Sequence, residues 1–108
     1  MERFNIELTE TAENDLRGIA RYISIQFQAP ETAINVIRAI KEKIATLETM
    51  AMVYPLVSDD RLAALGYRSV TVKNYTSFYI ADEKTKQVDV DRILYSRRDW
   101  QNILGAEE

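Results

Sequence analysis

At the start of the chain, apolar and polar residues alternate first with the period of a strand and then with that of a helix. Between residues 4 and 8 every second side chain is apolar, which predicts a half-buried strand. Thr9 is a preferred helix N-cap residue, and Glu10 and Glu13 fall in the first turn, where the helix dipole favours negative charge. Apolar residues then recur at helical spacing and predict one buried stripe, formed by Ala12, Leu16, Ile19, Ile23 and Phe27.

A second amphipathic helix follows almost at once. Pro30 ends the first helix, because proline disfavours a helical residue before it and fits the first turn of the next helix. The second stripe consists of Ala33, Ile37, Ile40, Ile44, Leu47 and Ala51. Two such helices joined by a short connection are expected to form an antiparallel hairpin that packs on a sheet. Gly18 costs about 1 kcal/mol inside a helix, so we expect another backbone to approach it closely.

The second half of the chain returns to strand-like alternation. The predicted elements are a helical turn at residues 61–65, strands at 67–73, 76–81 and 88–95, and a terminal helix at 98–104. Lys73 and Asn74 form a turn signal between the first two of these strands, since asparagine tolerates the left-handed conformation of tight turns. The last strand carries apolar residues on both faces near its end, which is typical of a central strand.

The alternation also assigns the strand residues to two faces of a sheet. One face is expected to pack against the helices, through Val70, Val72, Phe78, Ile80, Val88 and Val90. The opposite face is then expected to be concave, aromatic and mildly basic, and to collect Lys73, Tyr75, Tyr79, Ile93 and Tyr95. Together these elements predict one domain, residues 1–108, of the α+β class. Its order is β-α-α-β-β-β, with a helical hairpin packed on one face of a mainly antiparallel sheet and a short C-terminal helix.

Composition narrows the chemistry that the chain can perform. Its 108 residues include neither cysteine nor histidine. Disulfides and thiolate chemistry are therefore excluded, and the commonest acid–base residue and metal ligand is missing, so we expect no metal and no cofactor. No apolar run approaches the ~20 residues needed to cross a bilayer. The sequence thus predicts a cytoplasmic protein that does not bind a membrane.

Charge is unevenly distributed around a net value of −3. Residues 1–65 hold 7 basic and 10 acidic side chains, whereas residues 66–106 hold 7 basic and 5 acidic ones. The last third is therefore the part suited to an anionic partner, but its excess is well below that of a dedicated nucleic-acid binder. The end of the last strand delivers a cluster suited to gripping phosphate, carboxylate or a flat ring: Arg92, Tyr95, Arg97, Arg98 and Trp100. The alternative is an ordinary solvated strand end on which Trp100 packs as a lid.

Two motifs carry a resemblance to a known family. They are N-Y-T-S-F-Y-I at residues 74–80 and R-I-L-Y-S-R-R-D-W at residues 92–100. With the order of elements, they resemble the RelE/ParE family of bacterial type II toxins over nearly the whole chain. The resemblance implies a small cytoplasmic toxin that a cognate antitoxin, encoded beside it, holds inactive. It also implies that the pair represses its own operon, so that operator DNA is a partner only through the antitoxin.

The family contains ribosome-dependent mRNA endonucleases and inhibitors of DNA gyrase on one fold. For a nuclease, the resemblance implies cationic roles for Arg68, Lys73, Arg97 and Arg98, and a proton-transfer role for Tyr95. This chain departs from that pattern at Thr76, where many members carry arginine. A tyrosine also has an ordinary pKa near 10, so it needs strong local positive charge to act as a base at pH 7.

The gyrase inhibitors resemble this chain more closely, because of its two long helices, its acidic balance and its lack of histidine. In that case the basic and aromatic residues form a docking patch for the target: Lys73, Tyr75, Tyr79, Arg92, Tyr95, Arg97 and Arg98. A third interpretation is an interaction domain, or a degenerate relic, without toxic activity.

The resemblance further implies that the antitoxin docks a sheet edge and a groove beside the helices. Met50, Met52 and Leu56 cluster just after the second helix, and we expect the antitoxin to cover them. Trp100 is expected to be structural, because the terminal helix must fold back at this position.

Overall fold

The computed structural model describes residues 3–106 and has the predicted α+β order; the helical turn predicted at residues 61–65 is present as a short helix, and one further short helix follows the second long one. The elements are β1 (Asn5–Leu8), α1 (Glu10–Gln26), α2 (Pro30–Ala45), α3 (Leu47–Met50), α4 (Asp60–Ala64), β2 (Tyr67–Val72), β3 (Tyr75–Asp82), β4 (Gln87–Tyr95) and α5 (Trp100–Ala106). The helical hairpin, the antiparallel meander and the C-terminal helix are therefore confirmed as predicted from the sequence.

The last strand lies inside the sheet, as its apolar residues on both faces predicted. The strand order is β1-β4-β3-β2. β4 pairs in parallel with β1 and antiparallel with β3, which makes the sheet mixed but mainly antiparallel. β1 pairs with β4 only as far as Val90, so within residues 3–106 the end of β4 has no strand neighbour on that side.

Thr9 joins the start of α1 to the middle of β4. Its side-chain oxygen accepts a hydrogen bond from the N–H of Ala12 at 3.1 Å, which is the N-cap contact that the sequence predicted. The same hydroxyl donates to the carbonyl of Asp91 at 3.1 Å, and the Thr9 N–H donates to the carbonyl of Val90 at 3.0 Å. The helix therefore begins at a fixed point on the central strand.

The main core lies between the helical hairpin and one face of the sheet. The α2 stripe is confirmed, because Ala33, Ile40, Ile44, Leu47 and Ala51 are buried. The α1 stripe is confirmed except for its last member, because Ala12, Leu16 and Ile23 are buried and Ile19 packs against the core. Phe27 was expected in the core, but it is 63% exposed. The reason is that Phe27 is the C-cap of α1 and the chain turns at the next residue, Gln28, which has a positive φ of 49°.

The predicted faces of β3 were wrong, and the hairpin turn explains the error. Lys73 and Asn74 form a two-residue turn with φ values of 54° and 69°. The turn pairs Val72 directly with Tyr75, and paired residues point to the same face. Tyr75, Ser77 and Tyr79 therefore share the helix-packed face of Val70 and Val72. Phe78 and Ile80, which were expected to pack on the helices, lie on the opposite face.

A β-bulge reverses the faces of β4 in the same way. Phe78 pairs with Arg92 while the next residue, Tyr79, pairs with Val90, so Asp91 is an extra residue in β4. After this point the alternation changes phase. Ile93 joins Val88 and Val90 in the main core, whereas uninterrupted alternation had placed Ile93 and Tyr95 on the opposite face.

A second, smaller core covers the other face of the sheet. It contains Val57, Leu62, Tyr67, Phe78, Leu94 and Leu104. Trp100 packs against this cluster, and its ring stacks on that of Phe78 with 5.1 Å between ring centroids. The α4 and α5 helices thus close the face that was expected to be open and concave.

Replacing Trp100 by alanine is expected to lower the free energy of unfolding by about 3 kcal/mol, because the stack on Phe78 and its packing on the second core are lost. Chemical denaturation measures this change. Trp100→Phe, which keeps an aromatic ring over Phe78, is expected to lose less. Unchanged stability of Trp100→Ala would contradict this structural role.

Tyr79 gives a second test of the fold. Its side chain is fully buried, and its hydroxyl donates to the Ala51 carbonyl at 2.7 Å. Tyr79→Phe is expected to cost about 1–3 kcal/mol of stability, because the buried carbonyl loses its partner.

The burial of Tyr79 also makes its contribution to stability depend on pH. Burial raises the pKa of Tyr79 to about 12. The fold therefore favours the neutral phenol, and its contribution is complete below an unfolded pKa of about 10 and lost as the pH rises towards 12. Chemical unfolding is measured at pH values from about 10 to about 12. Over this range the free energy of unfolding should fall less for Tyr79→Phe than for the wild type, because phenylalanine has no proton to lose. An equal loss would contradict this role.

Candidate functional site

A cleft of about 650 Å³ opens between α1 and the adjoining ends of β3 and β4. Tyr22 and Phe27 line it from the end of α1, and Tyr75 and Tyr95 line it from the two strands. Arg98 lines the same cleft from the turn that follows β4. Of the seven residues predicted to bind a target, the structure therefore brings Tyr75, Tyr95 and Arg98 together.

The aromatic side chains form two edge-to-face pairs. The ring centroids of Tyr22 and Phe27 are 5.5 Å apart, and those of Tyr75 and Tyr95 are 5.9 Å apart. Such pairs are worth about 0.5–1.5 kcal/mol beyond the area that they bury. Tyr22, Phe27 and Tyr95 are nevertheless exposed. The pairs hold large apolar surfaces in defined positions while leaving them accessible.

Gly18 lines the cleft from α1 and keeps part of it open. A Cβ atom built at this position has no other atom within 4 Å. The prediction that another backbone approaches Gly18 closely is therefore wrong. Any larger side chain at this position would project from α1 into the space between the aromatic pairs.

The acidic residue in the lining, Asp15, is engaged within the protein. Its carboxylate accepts from Nε of Arg92 at 2.9 Å, from Nη2 of Arg92 at 3.0 Å and from the N–H of Ile93 at 2.9 Å. Both side chains of this ion pair are mostly buried. The structure thus gives Arg92 a structural partner, so its predicted place on an exposed docking patch is wrong.

Tyr79 is also absent from the accessible surface, because it faces the helices and is fully buried. The error follows from the face assignment of β3. Lys73 is exposed in the hairpin turn, and Arg97 is exposed beside Arg98, but neither lines the cleft.

The phenol of Tyr75 is suited to binding rather than to proton transfer. Burial raises the pKa of Tyr75, and the neighbouring Tyr22 and Tyr95 raise it further. Its hydroxyl therefore stays neutral at pH 7 and acts as a hydrogen-bonding group.

Arg68 lies apart from the other nuclease candidates. Its guanidinium donates to the main-chain carbonyls of Tyr54 at 2.6 Å and of Met52 at 3.4 Å. Arg68 pairs with Tyr79, four residues along β3 from Tyr75, a separation of about 13 Å at the rise of a strand. Arg68 thus holds the loop after α3 against the sheet instead of joining Tyr95 and Arg98.

The opposite face of the sheet has a small cavity of about 180 Å³ that is rich in hydroxyl groups. Thr76 lies in its lining and hydrogen-bonds to Thr71 at 2.9 Å and to Ser96 at 2.8 Å. Among the described residues that line this cavity there is no lysine, arginine, aspartate or glutamate. Thr76, where the resemblance implied an arginine in a nuclease, therefore belongs to a neutral hydroxyl chain.

Of the residues predicted to bind the antitoxin, Leu56 lies at the outer edge of β2 and the Met52 carbonyl accepts from Arg68 of that strand, whereas Met50 is the last residue of α3. Met50, Met52 and Leu56 are at least one-third exposed, and Val53 between them is 68% exposed. Leu56 forms a bridge to Arg68, and the N–H of Val57 donates to the carbonyl of Tyr67 at 3.0 Å. This connection covers only the start of β2.

The rest of the β2 edge is open. Because the closing pair of the hairpin is Val72 with Tyr75, the alternating hydrogen bonds of the ladder direct the main-chain groups of Ser69 and Thr71 outward. Within residues 3–106 these outward groups have no strand partner. An extended peptide has the geometry to pair with them.

The described residues provide neither a metal site nor a membrane span. It contains no group of three or more acidic, histidine or cysteine side chains arranged to hold a metal ion. No helix between residues 3 and 106 is both long and apolar enough to span a bilayer.

Sequence periodicity missed the contribution of α1 to the cleft. Phe27 was assigned to the buried stripe, Tyr22 lies beside that stripe, and Gly18 was interpreted as a packing contact. The available signal was the proximity of two aromatic residues to the predicted end of the helix, where a stripe often leaves the core.

Comparison with known proteins places these features in context. A family model described as ParE toxin of type II toxin-antitoxin system, parDE, matches residues 6–100. The structure is similar to a chain of the chromosomal ParDE toxin-antitoxin system from P. aeruginosa, with a TM-score of 0.68 and 20% sequence identity between the two. The match covers 85% of this chain and 95% of that one.

A chain of the RelBE2 toxin-antitoxin complex from Mycobacterium tuberculosis has a TM-score of 0.63 and 17% identity, with 86% of this chain and 98% of that one covered. At these identities the two structures establish the shared fold. A comparison with curated protein sequences gives no significant match.

Proposed function

Since this chain belongs to the ParE toxin family of type II toxin–antitoxin systems, we propose that it arrests growth by binding DNA gyrase and does not itself catalyse a reaction. The observation that carries the proposal is the cleft formed by two aromatic pairs, with Arg98 in its lining. Tyrosine and arginine are the residues that most often dominate the energetics of protein–protein interfaces.

The arrangement of charge supports binding over RNA cleavage. Cleavage by the 2′-hydroxyl of RNA requires a proton acceptor, a proton donor and cations placed around one phosphate. Arg68 is held by main-chain carbonyls away from Tyr95 and Arg98, and the cavity around Thr76 is lined by neutral groups. Of the cationic candidates, Arg68 is thus separated from Tyr95 and Arg98.

RelE-like mRNA cleavage is the second candidate. One observation favours it: Tyr95 and Arg98 line the same cleft, with Arg97 adjacent in sequence. In this mechanism Tyr95 would transfer a proton and the arginines would stabilise the phosphate.

An antitoxin is the partner that the family implies, and both structural neighbours are toxin–antitoxin complexes. We propose that the antitoxin covers Met50, Met52 and Leu56 and pairs an extended segment with the open edge of β2. The support is the proximity of exposed apolar side chains to outward-facing main-chain groups, which together suit an extended peptide.

The mechanism is tested by expressing the wild type and an Arg97→Ala, Arg98→Ala double variant, with Lys84→Ala as an exposed charge control. Plasmid topology and supercoiling by purified gyrase are measured together with a map of mRNA 5′ ends. We expect the wild type to inhibit supercoiling without creating ribosome-dependent cuts, and the double variant to be weaker in a graded way.

Specific cuts in ribosome-bound messages, with supercoiling unaffected, would overturn gyrase inhibition and make Tyr95, Arg97 and Arg98 the catalytic candidates. A nuclease should then lose about 10²-fold or more in rate when one such cation is removed. Wild-type expression without any growth arrest would favour the non-toxic interpretation.

The antitoxin patch is tested by co-purification with the product of the adjacent gene. A Met52→Glu, Leu56→Glu double variant is expected to weaken the complex by about tenfold or more, because each carboxylate would be buried against an apolar partner. Ile25→Glu, an exposed apolar position of α1 outside the patch, is the control. An undiminished complex with the double variant would refute this location.

A further inference from the structure

We infer that the cleft between α1 and the ends of β3 and β4 holds an acidic segment of the toxin's target, anchored there by an apolar side chain. The inference rests on the proposed function in one respect, namely that the toxin acts by binding a protein. It goes further in assigning the surface and in naming the chemistry of the segment that the surface selects.

The cleft is large enough to hold an apolar side chain of the bound segment. Its volume of about 650 Å³ lies within the range of about 300–1,000 Å³ that is typical of binding pockets. Gly18 adds no side chain, so the space between the Tyr22–Phe27 pair and the Tyr75–Tyr95 pair stays open. An apolar or aromatic side chain entering there would contact both pairs and remove their exposed faces from water.

The hydroxyl groups of the cleft tyrosines can form hydrogen bonds with the main chain of a bound segment. Among the hydrogen bonds of the described residues, none uses the hydroxyl of Tyr22, Tyr75 or Tyr95. Tyrosines arranged in this way offer apolar area at low cost in conformational entropy, together with a hydroxyl that reaches a peptide carbonyl or carboxylate.

Charge selects an acidic segment. The carboxylate of Asp15 is already satisfied by Arg92 and by the N–H of Ile93. Arg98 is exposed, and within the described residues no acidic side chain forms an ion pair with it. Asp99 follows it but accepts a hydrogen bond from Asn102. The mouth of the cleft is therefore positive on a chain of net charge −3, which attracts an acidic segment locally while repelling other anionic surfaces.

The position of the cleft distinguishes the target from the antitoxin. The proposed antitoxin patch is at the outer edge of β2, where Leu56 bridges to Arg68, whereas the cleft opens between α1 and the adjoining ends of β3 and β4. The two surfaces share no residue. A target segment in the cleft and an antitoxin at the β2 edge are thus separable by mutation.

Gly18→Leu fills the cleft from α1 and tests the inference without weakening the fold. Leucine is a better helix former than glycine by about 1 kcal/mol, and the position has open space, so stability should be maintained or raised. Arg98→Glu reverses the charge at the mouth. The matched controls are Thr11→Leu, at an exposed α1 position outside the cleft, and Lys84→Glu, in the exposed loop between β3 and β4.

All variants are expressed from an inducible promoter, and the inducer level that arrests growth is measured with and without the adjacent antitoxin gene. Gly18→Leu and Arg98→Glu are each expected to require about tenfold more toxin for arrest, as for the loss of a central interface contact. Both variants should still co-purify with the antitoxin, and both controls should arrest growth like the wild type.

Arrest by Gly18→Leu at the wild-type level would overturn the inference, and so would loss of antitoxin binding by the same variant, since the antitoxin would then be the occupant. Absence of arrest by the wild type would overturn it as well. Supercoiling by purified gyrase is assayed in parallel, so that a failure of the cleft inference can be told apart from a failure of the proposed gyrase target. A wild type that arrests growth without inhibiting gyrase refutes the gyrase target, while the growth of the cleft variants still decides the role of the cleft.

Discussion

The carboxylate of Asp15 joins α1 to the end of the central strand, and the cleft depends on this contact. β1 stops pairing with β4 at Val90, so the remaining part of β4 needs other partners for its main chain on that side. Thr9 supplies one by donating to the Asp91 carbonyl, and Asp15 supplies another by accepting from the N–H of Ile93. The helix therefore takes the place of a strand along the end of β4. Because Arg92 clamps the same carboxylate, the distance between α1 and the sheet is fixed, and the space beyond it remains open.

The elements of this fold were predictable because each has a strong local signal. The stripe of α2, the Thr9 cap and the Lys73-Asn74 turn all depend on residues near one another in sequence. The faces of the sheet were not predictable in the same way. The two-residue turn at Lys73-Asn74 sets which β3 residues share a face with Val72, and the extra residue Asp91 shifts the alternation of β4. A prediction that misses either feature assigns every later residue of that strand to the wrong face. A bulge has no sequence signature of its own here, since Asp91 sits within an otherwise regular V-D-V-D pattern.

The candidate site was predictable only in part for the same reason. Tyr75, Tyr95 and Arg98 were correctly grouped because they lie close to the end of one hairpin. Tyr79 and Arg92 were grouped with them because of their positions in the alternating pattern. That pattern contains no information about the hydrogen bond from Tyr79 to the Ala51 carbonyl or about the ion pair of Arg92 with Asp15 of α1. These contacts join residues distant in sequence. The half of the cleft that comes from α1 required the three-dimensional arrangement of the helix and the sheet.

The open edge of β2 has a cost for the toxin when it is alone. Outward main-chain groups at Ser69 and Thr71 can pair with any extended chain, including another copy of the same protein, and unprotected edges of this kind promote aggregation. The bridge from Leu56 protects only the first part of the strand. A partner strand on the remaining part would satisfy these groups and bury the apolar side chains beside them. The same main-chain hydrogen bonds would then serve both to hold the toxin inactive and to keep it from self-association, so that neutralisation and solubility are linked through one strand.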